Sequence, residues 1–517
     1  MVVVGAGHNG LVAATLLARA GLDVEVLERA DVIGGACRTE HPFGKAPGLA
    51  ASTGAYLLGL MQPELLRTLD LELPLVRRDP HYFLPTRDGR HLLLGADRES
   101  ARAQFAEFFS AADGRADEAL EVELAALRRD LAPAWLAEPT TVEETAERYV
   151  RPSLQSTFVT MVRGSAIDYL TRFGFRSETV LAMYAVTDGM PGLTGSPWSP
   201  GSGHNLLVHN MCRLPGAGGT WMVVRGGMGT VTTRLAALAT GAGARIRTGR
   251  EAVRIEMSGG AVTGVSTVDG PTVRARAVLV STDALRLPDL LGDATPPALR
   301  ARVAAYAERS PGQTMKVNLA LAGLPRFAAL PDPGHGQHGS TVHLLPPPAA
   351  DGSVLTALRE AFDDAAAGRL PAAPPLEWYL HSTLDPSLSD EHGNHSSALF
   401  VQGVPHEVAG SSWAVEKEPY VQRLLDLVEA YAPGIRDLLV DVDSLAPPDI
   451  RAHFGITSAN IHHVDNAISF TDRMPYAVGV DGVYAGAAGC HPAGSVIGAA
   501  GHNAARRILA DLGLPPA

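Results

Sequence analysis

An α/β fold, in which a Rossmann-type nucleotide-binding domain is assembled from discontinuous segments and carries an α+β cap, is predicted by three observations. Strand, glycine loop, helix, strand and terminal acid follow one another over residues 2–28. The same alternation returns near residue 225 and again near residue 482. A second glycine-rich loop, over residues 486–494, then stands ready to meet the cofactor of the first, which is residues 5–10.

Each element has a local reason. Val2, Val3 and Val4 are all β-branched and read as a buried strand. Gly5 allows a tight turn, Gly7 lets backbone approach a pyrophosphate, and Gly10 lets the helix over residues 11–20 pack closely on the sheet. Unpaired N–H groups at that helix start face the phosphates. A second strand over residues 23–28 ends in Glu28, 18 residues beyond Gly10 and near the roughly 20-residue spacing of a ribose-binding carboxylate. With only residues 1–4 before the first turn, the opening strand is shorter than usual, so the natural chain is expected to begin earlier.

Further on, residues 54–66 read as a turn leading into a helix, and residues 77–219 mix short strands such as 91–94 with amphipathic helices, including one over 101–131 broken near Gly114. Phe105, Phe108 and Phe109 fall on helical spacing and are expected to face a core, the alternative being a membrane or substrate-entry surface. The nucleotide-domain pattern resumes with Arg225-Gly226-Gly227-Met228-Gly229, a helix over 230–239, strands over 244–247 and 252–255, and a hairpin and buried strand up to residue 280. The predicted domains are thus 1–75, 220–286 and 451–517 for the nucleotide, and 76–219 and 287–450 for a substrate-binding cap.

Composition narrows the function. A chain of 517 residues suits two domains, and its net charge of −12 argues against a nucleic-acid partner. Cys37, Cys212 and Cys490 cannot form a disulfide framework, which fits a reducing cytoplasm. The start of the chain has no basic leader and is occupied by the nucleotide loop, so it is not read as a signal peptide. No apolar run reaches the roughly 18 residues of a spanning helix, leaving peripheral membrane contact as the membrane option. His335, His338, His343, His392 and His395 sit in loop-like sequence without cysteines or an H-E-x-x-H pattern, and no metal site is predicted. No G-x-S-x-G occurs, which removes the commonest hydrolase reading.

Five motifs together carry a resemblance. They are Gly-His-Asn-Gly-Leu-Val-Ala-Ala at 7–14, Gly-Gly-Ala-Cys-Arg-Thr-Glu at 34–40, Arg-Gly-Gly-Met-Gly at 225–229, Asp-Pro-Ser-Leu at 385–388, and the 486–494 loop. The chain resembles the FAD-dependent phytoene desaturase and carotenoid oxidoreductase-related family of the amine oxidase superfamily. Within it the likeness is closest to the group of pyridine nucleotide-disulphide oxidoreductase domain-containing protein 2. The resemblance implies a glutathione-reductase-like FAD domain, with FAD preferred to NAD and bound non-covalently. It places Arg29, Gly34, Gly35 and Arg38 beside the flavin-side phosphate and ribityl chain, and the backbone of Val253 on adenine. Gly486, Gly489, His491 and Gly494 would lie against the isoalloxazine, with a helix from near Val496 pointing its positive end at the flavin. A thiol or imidazole at Cys490 or His491 is the covalent alternative.

Catalysis would rest mainly with the flavin, and the protein would position and polarise. Lys316, in a strand-like run over 313–321, matches a lysine that in flavin amine oxidases bonds through water to flavin N5; a strand lysine with its ammonium in solvent is the plain alternative. His463 and Asp465 match a flavin-facing His and acid, and read either as proton donor and acceptor or as a structural pair. The expected activity is hydride transfer between FAD and an apolar small molecule such as a polyene or lipid, with oxygen, quinone or NAD(P) as the electron partner. An amine oxidase is a second reading, weakened because residues 485–503 contain no Trp or Tyr to frame an amine. A polyene isomerase and a weakly catalytic flavin-bearing interaction protein are the others.

Overall fold

Val2–Val4 takes the centre of a five-stranded, all-parallel sheet because three consecutive valines can be buried on both faces at once. The strand order is Val483–Ala485, Val278–Val280, Val2–Val4, Glu25–Leu27 and Arg245–Arg247. The computed structural model describes residues 1–190 and 192–515; residue 191 and residues 516–517, the last two of the third predicted segment, lie outside the described residues. The predicted Rossmann-type class is the one observed, with the sheet drawing its strands from three distant stretches of chain.

Helices cover this sheet through small residues. His8–Arg19 lies against both Gly229–Gly241 and Ala499–Asp511. A Cβ on Gly501 would sit 2.0 Å from the Asn9 carbonyl, so only glycine permits that approach. Beside the sheet, Ala252–Ser258 pairs with Ala261–Thr267 and the short Val273–Arg274 to make a three-stranded antiparallel sheet.

The second layer is a seven-stranded sheet in the order Leu439–Leu445, Thr314–Leu321, His395–Gln402, Leu376–Tyr379, Thr341–Leu344, Tyr82–Pro85 and His91–Leu94. Its side chains alternate with period two. Met315, Val317, Val342, Trp378 and Leu399 point to one face and pack on the helix Trp413–Glu429. Lys316, His343, Glu377, Tyr379 and Phe400 point to the other and floor a cavity.

Cap helices roof that cavity. The helix expected over 101–131 is divided, but at residues 109–110 rather than near Gly114, into Arg98–Phe108 and Ala111–Trp135. The reason is Ser110, whose hydroxyl accepts from the Asp113 amide and caps the second helix, leaving Gly114 inside it. Phe105 is buried with Phe108 and Phe109 packed around it, as a core-facing stripe should be. Exposed large apolar residues, such as Val122, Val253 and Val415, are scattered. Among the described residues no helix is long and apolar enough to cross a membrane. His343 is not in a loop: it lies on Thr341–Leu344, 1 % exposed, with its ring stacked on Tyr82 at 4.4 Å.

Candidate active site

One cavity of about 840 Å³ runs from the carboxyl ends of the parallel strands to the polar face of the seven-stranded sheet. At its first end Gly5 turns the chain out of the central strand, its N–H donating to Leu27 O at 2.8 Å. Gly7 follows as the residue before the helix, and a Cβ there would meet nothing within 4 Å. Glu28 stands one residue past its strand, with its two carboxylate oxygens accepting from the Ala6 and Ala30 amides at 2.8 and 2.9 Å. The Gly34 amide donates to Ala6 O at 2.9 Å, drawing the Gly34-Gly35 turn alongside the first loop. Gly5, Gly7, Glu28, Arg29, Gly34 and Gly35 all border the cavity.

The remaining predicted cofactor residues are placed differently. Gly10 does close-packing work: a Cβ on it would lie 2.2 Å from Gly5 O. Arg38 turns away from the cavity, donating to His453 O at 3.0 Å and pairing with Glu40. Val253 is 43 % exposed, and Arg250, Glu251 and Ala252 border the cavity in its stead. Gly486 packs on Ala504, Gly489 on Val464, and Gly494 so tightly on His462 that a Cβ would fall 2.3 Å from the histidine Cβ. His491 is buried with Nε2 3.0 Å from Ala134 O. Cys490 is buried behind the wall, and burial pushes its thiol up to about 12. Ala487, Ala488, Ser495 and Val496 are the parts of this loop that reach the cavity, and the helix begins at Ala499, after Gly498.

Several buried polar atoms on the wall have no hydrogen-bond partner among the described residues: His8 Nε2, Thr282 Oγ1, Thr314 Oγ1 and His463 Nδ1. Such atoms cost free energy unless something bound in the cavity meets them. His463 also sits at φ +62°, a left-handed conformation that a non-glycine residue adopts only when its surroundings hold it there. Burial lowers its imidazole pKa, and Asp283 opposes that effect. Asp465 is not its partner; that carboxylate is engaged by the Thr194 and Ala467 amides, and burial raises it to about 6. His8 and Asp283 are therefore members of this end that the sequence patterns do not pick out. A histidine inside a glycine motif and an isolated Asp carry no spacing signal.

Lys316 is buried, not solvated. Its Nζ donates to Ser52 O and Gly54 O at 2.5 and 2.7 Å and lies 4.7 Å from the centre of the Tyr56 ring. Burial lowers its pKa to about 7. In the unfolded chain the amine keeps its ordinary value near 10.5, so between about pH 7 and 10.5 the unfolded state binds the extra proton. Stability contributed at this position therefore rises with pH across that window, by at most about 1.4 kcal/mol per unit. The melting temperature of the parent relative to Lys316→Met is expected to climb between pH 6 and pH 10; a constant difference would show that the amine is not desolvated.

Aromatic rings line the same chamber. Tyr56 and Tyr379 lie 4.4 Å apart, with Phe400 5.6 Å from Tyr56. The aromatic pair that residues 485–503 do not offer is thus supplied by two residues far apart in sequence. Among the described residues no group of three or more His, Cys, Asp or Glu side chains converges as a metal centre.

The chain as a whole has relatives among known proteins. The family model described as flavin containing amine oxidoreductase matches residues 10–328. The chain belongs to that family. It is 34 % identical to the mouse pyridine nucleotide-disulfide oxidoreductase domain-containing protein 2, over 99 % of this chain and 93 % of the mouse protein. It is 26 % identical to hydroxyneurosporene desaturase of Cereibacter sphaeroides, covering 99 % of this chain and 98 % of the relative. In fold it is similar to the crystal structure of an oxidoreductase from Methanosarcina mazei, with a TM-score of 0.62 at 15 % identity, over 98 % and 99 % of the two chains.

Proposed function

We propose that this oxidoreductase binds FAD non-covalently and moves hydride between it and a carbon of a small molecule held on the seven-stranded sheet. The observation that carries the proposal is the single cavity whose two ends are the Gly7 and Glu28 cradle and the Lys316, Tyr56 and Tyr379 floor. The residues fit the cofactor: the open space over Gly7 and Gly35 suits a pyrophosphate, and Glu28 suits a ribose diol. Orphaned His8 Nε2 and His463 Nδ1 offer polar atoms to whatever lies between. FAD when bound supplies the hydride acceptor or donor.

The chain's own part is to orient and to keep dry. Tyr56, Tyr379 and Phe400 give an apolar body a flat wall, which suits the expected apolar substrate, a polyene or other lipid, in its unsaturated portion. Lys316, poised near neutrality, can give or take a proton on that wall, and His463 can do so at the opposite end. An amine substrate is the second reading, favoured by the Tyr56 and Tyr379 pair. The cap comprises 76–219 and 287–450 in this scheme, and the electron partner is oxygen, a quinone or NAD(P).

The test is the visible spectrum of purified protein before and after denaturation. Yellow FAD released to the supernatant is expected. Colour that stays with the precipitate would overturn non-covalent binding, and protein that is colourless and cannot be reconstituted with FAD would overturn the proposal itself.

A further inference from the structure

The polar end of the cavity holds a charge that the protein does not balance. Arg78 is only 5 % exposed, yet it makes no ion pair among the described residues. Its Nε donates to Trp221 O at 3.0 Å and its Nη1 to the Thr341 hydroxyl, both neutral acceptors. Among the described residues Nη2 has no hydrogen-bond partner, and Arg78 borders the cavity. Tyr82, paired with Thr341 across the parallel ladder, brings a buried hydroxyl to the same wall, beside the Thr187 side chain. A guanidinium is never deprotonated here, and burying one without a counter-ion is unfavourable.

The nearby acids do not supply that counter-ion. Glu377 accepts from the Tyr379 hydroxyl and from Gln402 Nε2, and burial raises it to about 8. Asp188 is raised to about 7, again by burial. Near neutral pH Arg78 therefore keeps its charge while Glu377 and Asp188 hold much of their protons. Arg77, Arg128 and Arg129 extend the same wall and are likewise outside ion pairs among the described residues.

The geometry points to a substrate that carries a carboxylate, received by Arg78 Nη2 and the Tyr82 hydroxyl, with its apolar body on the Tyr56, Tyr379 and Phe400 wall. This deepens the proposed function, resting on it for the flavin end of the cavity alone.

Isothermal titration of the purified protein with 3-phenylpropionate, 3-phenylpropanol, 3-phenylpropylamine and inorganic phosphate tests it. The carboxylate is expected to bind about 10- to 100-fold tighter than the alcohol, and Arg78→Met to abolish that preference while Arg78→Lys keeps part of it. Equal or tighter binding of the alcohol, the amine or phosphate would overturn the inference, as would carboxylate binding too weak to detect or a preference that survives in Arg78→Met. The comparison among ligands on the unaltered protein decides the matter even where Arg78→Met fails to fold. Flavin content is read on the same preparations. Colourless protein that prefers the carboxylate keeps this inference and sinks the FAD reading; yellow protein without the preference does the reverse.

Discussion

Replacing Gly7 by valine is expected to give a folded, colourless protein. Gly7 has φ −72° and ψ 171°, an extended conformation open to any residue, and a Cβ there meets nothing within 4 Å. The fold should not notice the change. The space a valine would fill is the cradle over the helix start, where the proposed function puts a pyrophosphate against backbone. Flavin affinity should fall about 100-fold or more, roughly 3 kcal/mol, at an unchanged melting temperature of the cofactor-free protein. Gly10→Ala is the contrast, because its Cβ would lie 2.2 Å from Gly5 O and must deform the loop, so it should lower both flavin content and melting temperature. A Gly7→Val protein that purifies with a full complement of flavin would place the phosphates elsewhere.

Arg473→Met is expected to be the most destabilising single change in the molecule. Arg473 is 1 % exposed, and its guanidinium donates to the carbonyls of Val464, Asp465, Ile468, Ala488 and Cys490 at 2.7–3.2 Å. It thereby staples the segment bearing His463 to the loop bearing Ala487 and Ala488. Methionine fills similar volume but leaves those carbonyls buried without donors, at about 1–3 kcal/mol for each one that water cannot reach. A loss of about 4 kcal/mol or more is expected in chemical denaturation, a large part of the roughly 5–15 kcal/mol available to a folded domain. Arg473→Lys should recover only a fraction, since three rotatable protons cannot meet five carbonyls. A loss below about 1 kcal/mol would mean that the two segments hold each other without the arginine.

The nucleotide half of the fold is legible in the sequence because its signals are local. Val2 to Glu28 is one supersecondary unit, and its turn, helix start and acid fall at fixed spacings. The opposite end of the cavity is legible only in part. Lys316 stands out because lysine is rare in this chain, but its burial depends on the Ser52 and Gly54 carbonyls, which no periodicity connects to it. Tyr56, Arg78, Glu377 and Tyr379 come from three separate stretches: Glu377 and Tyr379 lie on a strand of the seven-stranded sheet, and Tyr56 and Arg78 reach the same chamber from segments outside its strands. The C-terminal glycines illustrate a different gap. A glycine needed for packing, such as Gly494 against His462, looks the same in sequence as one that makes room for a ligand.

Strand order in the parallel sheet also governs when this protein can begin to work. Val2–Val4 waits for Val278–Val280 on one side, and that strand in turn waits for Val483–Ala485. The opening helix is then sealed by Ala499–Asp511. Contacts between such distant parts of a chain form slowly and expose unpaired strand edges in the interval. The parallel sheet therefore cannot close before Val483–Ala485 is made, and until Val278–Val280 is made one edge of Val2–Val4 lacks its partner.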